Sequence, residues 1–296
     1  MLSVLTGLTC ISIPQPAGAL QPTANCLTGA FSETNPGGPC PPGSPQIVAF
    51  ASPDANNNPN PVFAVTSSGA VYENGTQVEG MNGQTLTAPI VGIASTSDGQ
   101  GYWLVGADGG VFAFGDAPFL GSMAGQHLNA PIVGITRSGP DGAYLLVGAD
   151  GGVFAFGPAF YGSMAGHQLN APIVGIASTG DGQGYWLVSA DGGVFAFGFD
   201  AGFYGSMAGQ HLNAPIVGIT QTWTVGMGET GTGYYLAGAD GGIFAFGSAS
   251  FAQSGVGLVN SPVVGVVHAT VAFQSAGPPT FVPEIATTSG DFLTLS

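Results

Sequence analysis

Aromatic side chains that recur in pairs are the residues of this chain best suited to hold a ligand. Tyr102-Trp103 and Tyr185-Trp186 share one position in a repeated block, with Tyr144-Leu145 and Tyr234-Tyr235 as variants. Each pair sits in a run rich in aromatic and β-branched residues, so its two side chains point to opposite faces of a strand. An aromatic ring at the rim, beside the aspartates and asparagines of the same block, suits a sugar, which offers an apolar face and hydroxyls. Tyr102, Trp103, Tyr144, Tyr185, Trp186, Tyr234 and Tyr235 are therefore the candidate ligand-binding residues. Core packing is the competing use of the same side chains. The pairs Phe119-Leu120, Phe160-Tyr161 and Phe203-Tyr204 form a second candidate set.

Aspartates recur in two turns: Asp98, Asp141 and Asp181 in the first, and Asp108, Asp150, Asp191 and Asp240 in the second. The second group could supply oxygens to calcium, but a D-x-D-x-D-G run is missing, and a tight hairpin also asks for Asp-Gly. Calcium is the one cofactor left open. His127, His167 and His211 fall in the same loop of successive repeats, which duplication alone explains. There is no G-x-S-x-G elbow, no H-E-x-x-H and no C-x-x-C. Gly226, Gly228 and Gly231 have nucleotide-loop spacing, yet no helix signal follows, and 52 glycines make such a match expected by chance. A hydrolase or lyase with carboxylates at a ring axis would need acids outside the repeat pattern. Glu79, Glu229 and Glu284 come nearest. The chain reads as non-catalytic.

The elements that position these residues are set by a repeat. APIVGIASTSDGQGYWLVGADGGVFAFGDAPFLGSMAGQHLN begins at Ala88 and returns from Ala130, Ala171 and Ala214, at offsets of 42, 41 and 43. Looser copies flank these, giving six units: 45–87, 88–129, 130–170, 171–213, 214–260 and an incomplete 261–296. Within the copy from Ala88, three short apolar runs (Ile90–Ala94, Tyr102–Val105, Val111–Phe114) are separated by turn formers. A weaker fourth run covers Phe119–Met123. Four antiparallel strands in 40 to 45 residues is the spacing of a propeller blade. The fold class expected is all-β: a β-propeller of about six four-stranded blades, with PIVGI lining the axis. The recurring Gly92, Gly134, Gly175, Gly218 and Gly265 answer crowding there. The N-terminal segment would complete the last blade.

Sixteen acids face one arginine, Arg137, and no lysine, for a net charge of −15. Such a chain cannot neutralise a run of phosphates, which excludes nucleic acid and anionic membranes as partners. No apolar stretch is long enough to insert in a membrane. Residues 1–19 hold an apolar stretch followed by Ala17-Gly18-Ala19, the pattern of a secretory signal without its basic start. Cleavage there would remove Cys10 and leave Cys26 and Cys40 as a pair. Segment 20–44 would carry that disulfide and clasp the ring, and 45–296 would form the propeller.

GYWLVGADGGVFAFGDAPFLGSMAG resembles a repeat of secreted and cell-surface actinobacterial proteins, where it is often joined to extracellular catalytic domains. The match is close over 88–247 and loose over 45–87 and 262–296. The resemblance implies a propeller-like array, and it brings no set of functional residues with it. The function expected is an extracellular binding or surface-display module recognising a glycan or a cell-surface protein. It would be a monomer unless built into a surface assembly. The alternative is a structural component of an extracellular layer, appendage or phage virion.

Overall fold

The computed structural model describes residues 24–25, 47–51, 61–139, 142–222, 232–250, 254–259, 262–271, 280–288 and 292–294. The segment 1–19, Cys26, Cys40, Asp141 and Glu229 lie outside them. Strand β1 is Ala24–Asn25. Sheet one holds β2 (Ile47–Ala51), β3 (Phe63–Thr66), β4 (Val71–Glu73) and β5 (Thr76–Val78). Sheet two holds β6 (Ile90–Ser95), β7 (Gly101–Gly106) and β8 (Val111–Gly115). Sheet three holds β9 (Ile132–Ser138), β10 (Ala143–Gly148) and β11 (Val153–Phe156). Sheet four holds β12 (Ile173–Ser178), β13 (Gly184–Ser189) and β14 (Val194–Gly198). Sheet five holds β15 (Ile216–Gln221), β16 (Gly233–Gly238) and β17 (Ile243–Gly247). Sheet six holds β18 (Val263–Val271), β19 (Thr280–Thr287) and β20 (Phe292–Thr294). Its outer edge is taken by β1, with Ala24 opposite Leu293 and Asn25 opposite Phe292. All described elements are strands, and none is a helix long and apolar enough to cross a membrane.

The first strands touch in cyclic order: β2, β6, β9, β12, β15, β18 and back to β2. One hydrogen bond marks every junction. The N–H of Ile90 donates to the Ser67 carbonyl at 2.9 Å, and Ile132, Ile173, Ile216 and Val263 repeat the contact with the preceding turn. At the seam Ile47 donates to Thr288 at 3.0 Å, so the last sheet meets the first as the others meet their neighbours.

The core is split among the junctions. Along β7, Tyr102 and Leu104 pack toward sheet one, while Trp103 and Val105 pack toward sheet three. The same alternation along β10, β13 and β16 explains why second strands are buried throughout. The inner glycines are crowded sideways rather than toward the axis. A Cβ on Gly218 would lie 3.2 Å from the Gly265 Cα, and one on Gly92 would lie 3.1 Å from the Ile135 side chain. Sheet one departs from the pattern, with Ala49 and Phe50 in place of glycine and isoleucine. A Cβ on Gly265 would meet the Phe50 ring at 3.2 Å.

One sequence expectation needs correction. Four of the six sheets have three strands among the described residues, because the runs from Phe119, Phe160 and Phe203 and the described residues after β17 form no ladder. The carbonyls and N–H groups of these runs serve neighbouring tyrosines and tryptophans instead, as described below. The Asp-Gly turns are three-residue loops. Gly106 N–H donates to Gly110 at 2.8 Å, and the residue at φ +78° is Gly109, after the aspartate.

Gly192 has φ +80°, and a Cβ there would fall 2.5 Å from the Met207 Cβ; Gly209 has φ +75° with nothing within 4 Å. Gly209→Ala should therefore cost only the left-handed penalty, about 1–2 kcal/mol. Gly192→Ala should cost more, because it adds overpacking of about 1–3 kcal/mol. Denaturant midpoints of the two variants check the ranking.

Candidate functional site

The seven candidate aromatics do not line a surface. Trp103, Trp186, Tyr144 and Tyr234 are 0% exposed, Tyr185 and Tyr235 are almost as buried, and Tyr102 is 6% exposed. Their polar tips close structural bonds. The hydroxyls of Tyr144, Tyr185 and Tyr234 donate at 2.6 Å to the carbonyls of Gly121, Gly162 and Gly205 in the connector of the preceding sheet. Each hydroxyl also accepts from a connector N–H, that of Leu120, Tyr161 and Tyr204 respectively. The Tyr102 hydroxyl likewise donates to the Glu79 carbonyl. Trp103 and Trp186 reach the other way, donating Nε1–H at 2.8 Å to Pro118 and Gly202 of their own sheet, and Tyr235 donates to Ser250. In sheets two, four and five these residues bolt the sheet to the connectors on both sides, and in sheet three Tyr144 bolts it to the preceding one; the reading of them as a sugar platform is corrected on that ground.

The turn aspartates are likewise engaged. Oδ1 of Asp108, Asp150, Asp191 and Asp240 accepts the N–H two residues on, at 2.9 to 3.2 Å. Among the described residues no three His, Cys, Asp or Glu side chains gather to hold a metal. His127, His167 and His211 are exposed. The axial cavity, about 210 Å³, is lined by the apolar residues and glycines of the first strands, with no carboxylate among them. Glu79 is exposed in the connector after β5.

One surface that remains for recognition is the loop face, where the Asp-Gly turns meet the Gln-His-Leu-Asn connectors. A cavity of about 560 Å³ lies there, lined by Asn170, Asp191, Gln210 and Asn213 beside Leu212 and Pro215. Asn129 and Asp150 are the equivalents of Asn170 and Asp191 in the adjoining repeat, where His167 takes the place of Gln210. Planar amides and a carboxylate on rigid turns form a hydrogen-bonding lining with an apolar floor. Sequence reasoning passed over these asparagines because single Asn residues in loops also serve as turn formers.

On the opposite face two carboxylates meet in sheet four. Burial pushes Asp181 up, but the Gln183 N–H, the Thr179 hydroxyl and Asp200 outweigh it and hold Asp181 below the usual range. Sharing a hydrogen bond with Asp181 pushes Asp200 up. Asp98 is lowered by the Gln100 N–H and the Thr96 hydroxyl, with Asp116 contributing from the same side.

No family model matches the chain, and no curated protein matches it. Among solved structures it is similar to BBS1N, a β-propeller, in mercury-soaked crystals of its complex with ARL6DN. The TM-score is 0.51 at 15% identity, covering 84% of this chain and 76% of that one. The lead-soaked crystal of the same complex gives 0.50 at 15% identity, over 84% and 78%. The likeness shows the fold: an all-β propeller.

Burial and the Glu79 and Glu73 carboxylates push the Tyr102 hydroxyl up to about 12, and burial also raises Tyr144, Tyr185, Tyr234 and Tyr235. The folded protein thus keeps protons that unfolded tyrosines release near pH 10. Their stabilising effect is complete below about pH 10 and is lost as pH climbs above it. Stability followed by denaturant titration should fall over that interval. Tyr185→Phe should lower stability at neutral pH by about 1–3 kcal/mol and flatten the alkaline slope.

Proposed function

We propose that this chain is a non-catalytic binding and display propeller of the cell surface. The observation that carries the reading is the loop-face cavity, whose polar lining comes from connectors held rigid by the inter-sheet bonds. The first-strand lining supplies no acid–base pair, which favours recognition over hydrolysis. BBS1N, crystallised in complex with ARL6DN, gives a precedent for a propeller that takes a protein partner. A surface protein is accordingly the partner favoured by the fold. A glycan is the reading favoured by the Asn170, Gln210 and Asn213 amides, which match sugar hydroxyls. The exported location rests on the 1–19 segment, the Cys26 and Cys40 pair, the absence of lysine and the resemblance to secreted actinobacterial repeats. The finer architecture, a six-bladed ring clasped by segment 20–44, belongs to the same proposal.

Two measurements test it. Mass of the native protein should show residues 1–19 missing and no free thiol; an intact Met1 would count against export. Retention on cell-wall polysaccharides and on surface-protein extracts should be measured with and without calcium. Gln210→Ala with Asn213→Ala should weaken retention at least tenfold at unchanged melting temperature. Equal retention by that variant and the parent would remove the cavity from the account.

A further inference from the structure

We propose that an outer belt on sheets two to four docks a basic, apolar segment of a partner protein. The belt is built from the connectors that fail to become fourth strands. Phe119, Phe160 and Phe203 occupy one repeat position and are 60%, 57% and 63% exposed, and Phe199 is 86% exposed. Among the described residues they stand apart from Trp103, Trp186, Tyr144 and Tyr234, which are spent on the junctions.

The belt is continuous. Leu120 from sheet two reaches the end of sheet three, where its Cδ1 lies 2.9 Å from the place a Cβ on Gly157 would take. Tyr161 from sheet three meets Phe199 edge-on, ring centroids 6.0 Å apart. Tyr204 from sheet four lies against Gly247 of sheet five. The described residues beside the belt are polar: sheet one has Thr76 and Gln77 exposed in β5, and Ser248 and Ser250 are exposed among the described residues of sheet five. A contiguous apolar patch with a polar rim is the mark of an interaction surface. The exposed rings are not needed for the connector's structural contacts, which run through the backbone of Pro118, Leu120 and Gly121.

Charge selects the occupant. Asp116 and Asp200 stand in these same connectors, each in reach of a turn carboxylate, Asp98 or Asp181. The chain has no lysine and one arginine, so a second copy would bring another −15 to the contact. A segment bearing arginine satisfies both features, because guanidinium pairs with carboxylates through two N–H groups and stacks on aromatic faces. The belt lies at the ends of the outer strands remote from the Asp-Gly turns. This proposal therefore stands without the loop-face cavity.

The probe is a fluorescent eight-residue peptide of alternating arginine and leucine, read by anisotropy at physiological salt. It should bind the intact protein, with arginine–serine and glutamate–leucine peptides at least tenfold weaker. Phe119→Ser, Phe160→Ser and Phe203→Ser together should weaken binding at least tenfold. Asp116→Asn with Asp200→Asn should weaken it severalfold and flatten its salt dependence, a second reading that alters no packed side chain. Gln210→Ala with Asn213→Ala should leave peptide binding unchanged, which separates this belt from the cavity. Absence of arginine–leucine binding, equal binding of the arginine–serine peptide, or indifference to the phenylalanine changes would each overturn the proposal. So would phenylalanine-dependent binding of polysaccharide alone, or self-association that those changes abolish.

Discussion

The structure depends on one repeated backbone hydrogen bond, from the first N–H of each inner strand to a turn carbonyl of the sheet before it. A three-stranded sheet of this size cannot bury both faces by itself. The bond fixes where the next sheet starts, and that placement lets Tyr, Leu and Ile of one sheet meet Trp, Val and Ala of its neighbour. Because the contact recurs between Ile47 and Thr288, the apolar surface of sheet six is covered from sheet one, where Ile47 and Phe50 pack with Ala286. No junction is left to solvent at the seam.

This division of the interior decides where function can reside. Second strands are consumed on both faces, and first strands fill the axis with valine, isoleucine and glycine. Among the described residues, the connectors and turns carry side chains not committed to packing, and the connectors do so at two ends of the molecule with different chemistry. Amides and a turn carboxylate gather on the loop face. Phenylalanines and aspartates gather on the outer circumference. Binding groups held on loops by a rigid scaffold are the usual arrangement.

Much of the fold was legible in the chain, because its signals are local. The period near 42 residues, the three apolar runs and the Asp-Gly turns each rest on neighbours a few positions apart. The fourth run was misread for a long-range reason. Phe119–Met123 has strand-like composition, but its carbonyls and N–H groups are claimed by Tyr144, 23 or 24 residues later. The aromatic pairs were placed in the right strands and given the wrong task. Their repetition looked like a platform, whereas each hydroxyl or indole N–H had a backbone acceptor in a distant connector that no local pattern displays. The cavity amides were hidden for the converse reason, since an asparagine in a loop reads the same whether it turns the chain or meets a ligand.

Phe50 and Ala49 give the seam an identity that the other junctions lack. Sheets two to five present nearly interchangeable surfaces, so during folding any one of them could dock where another belongs, leaving out a unit or pairing across two molecules. The odd ring of Phe50 against Gly265 marks the join between the first and last sheets. A chain that left sheet one out of this contact would expose the Phe50 ring, which is buried here, so the seam favours the join of sheets one and six.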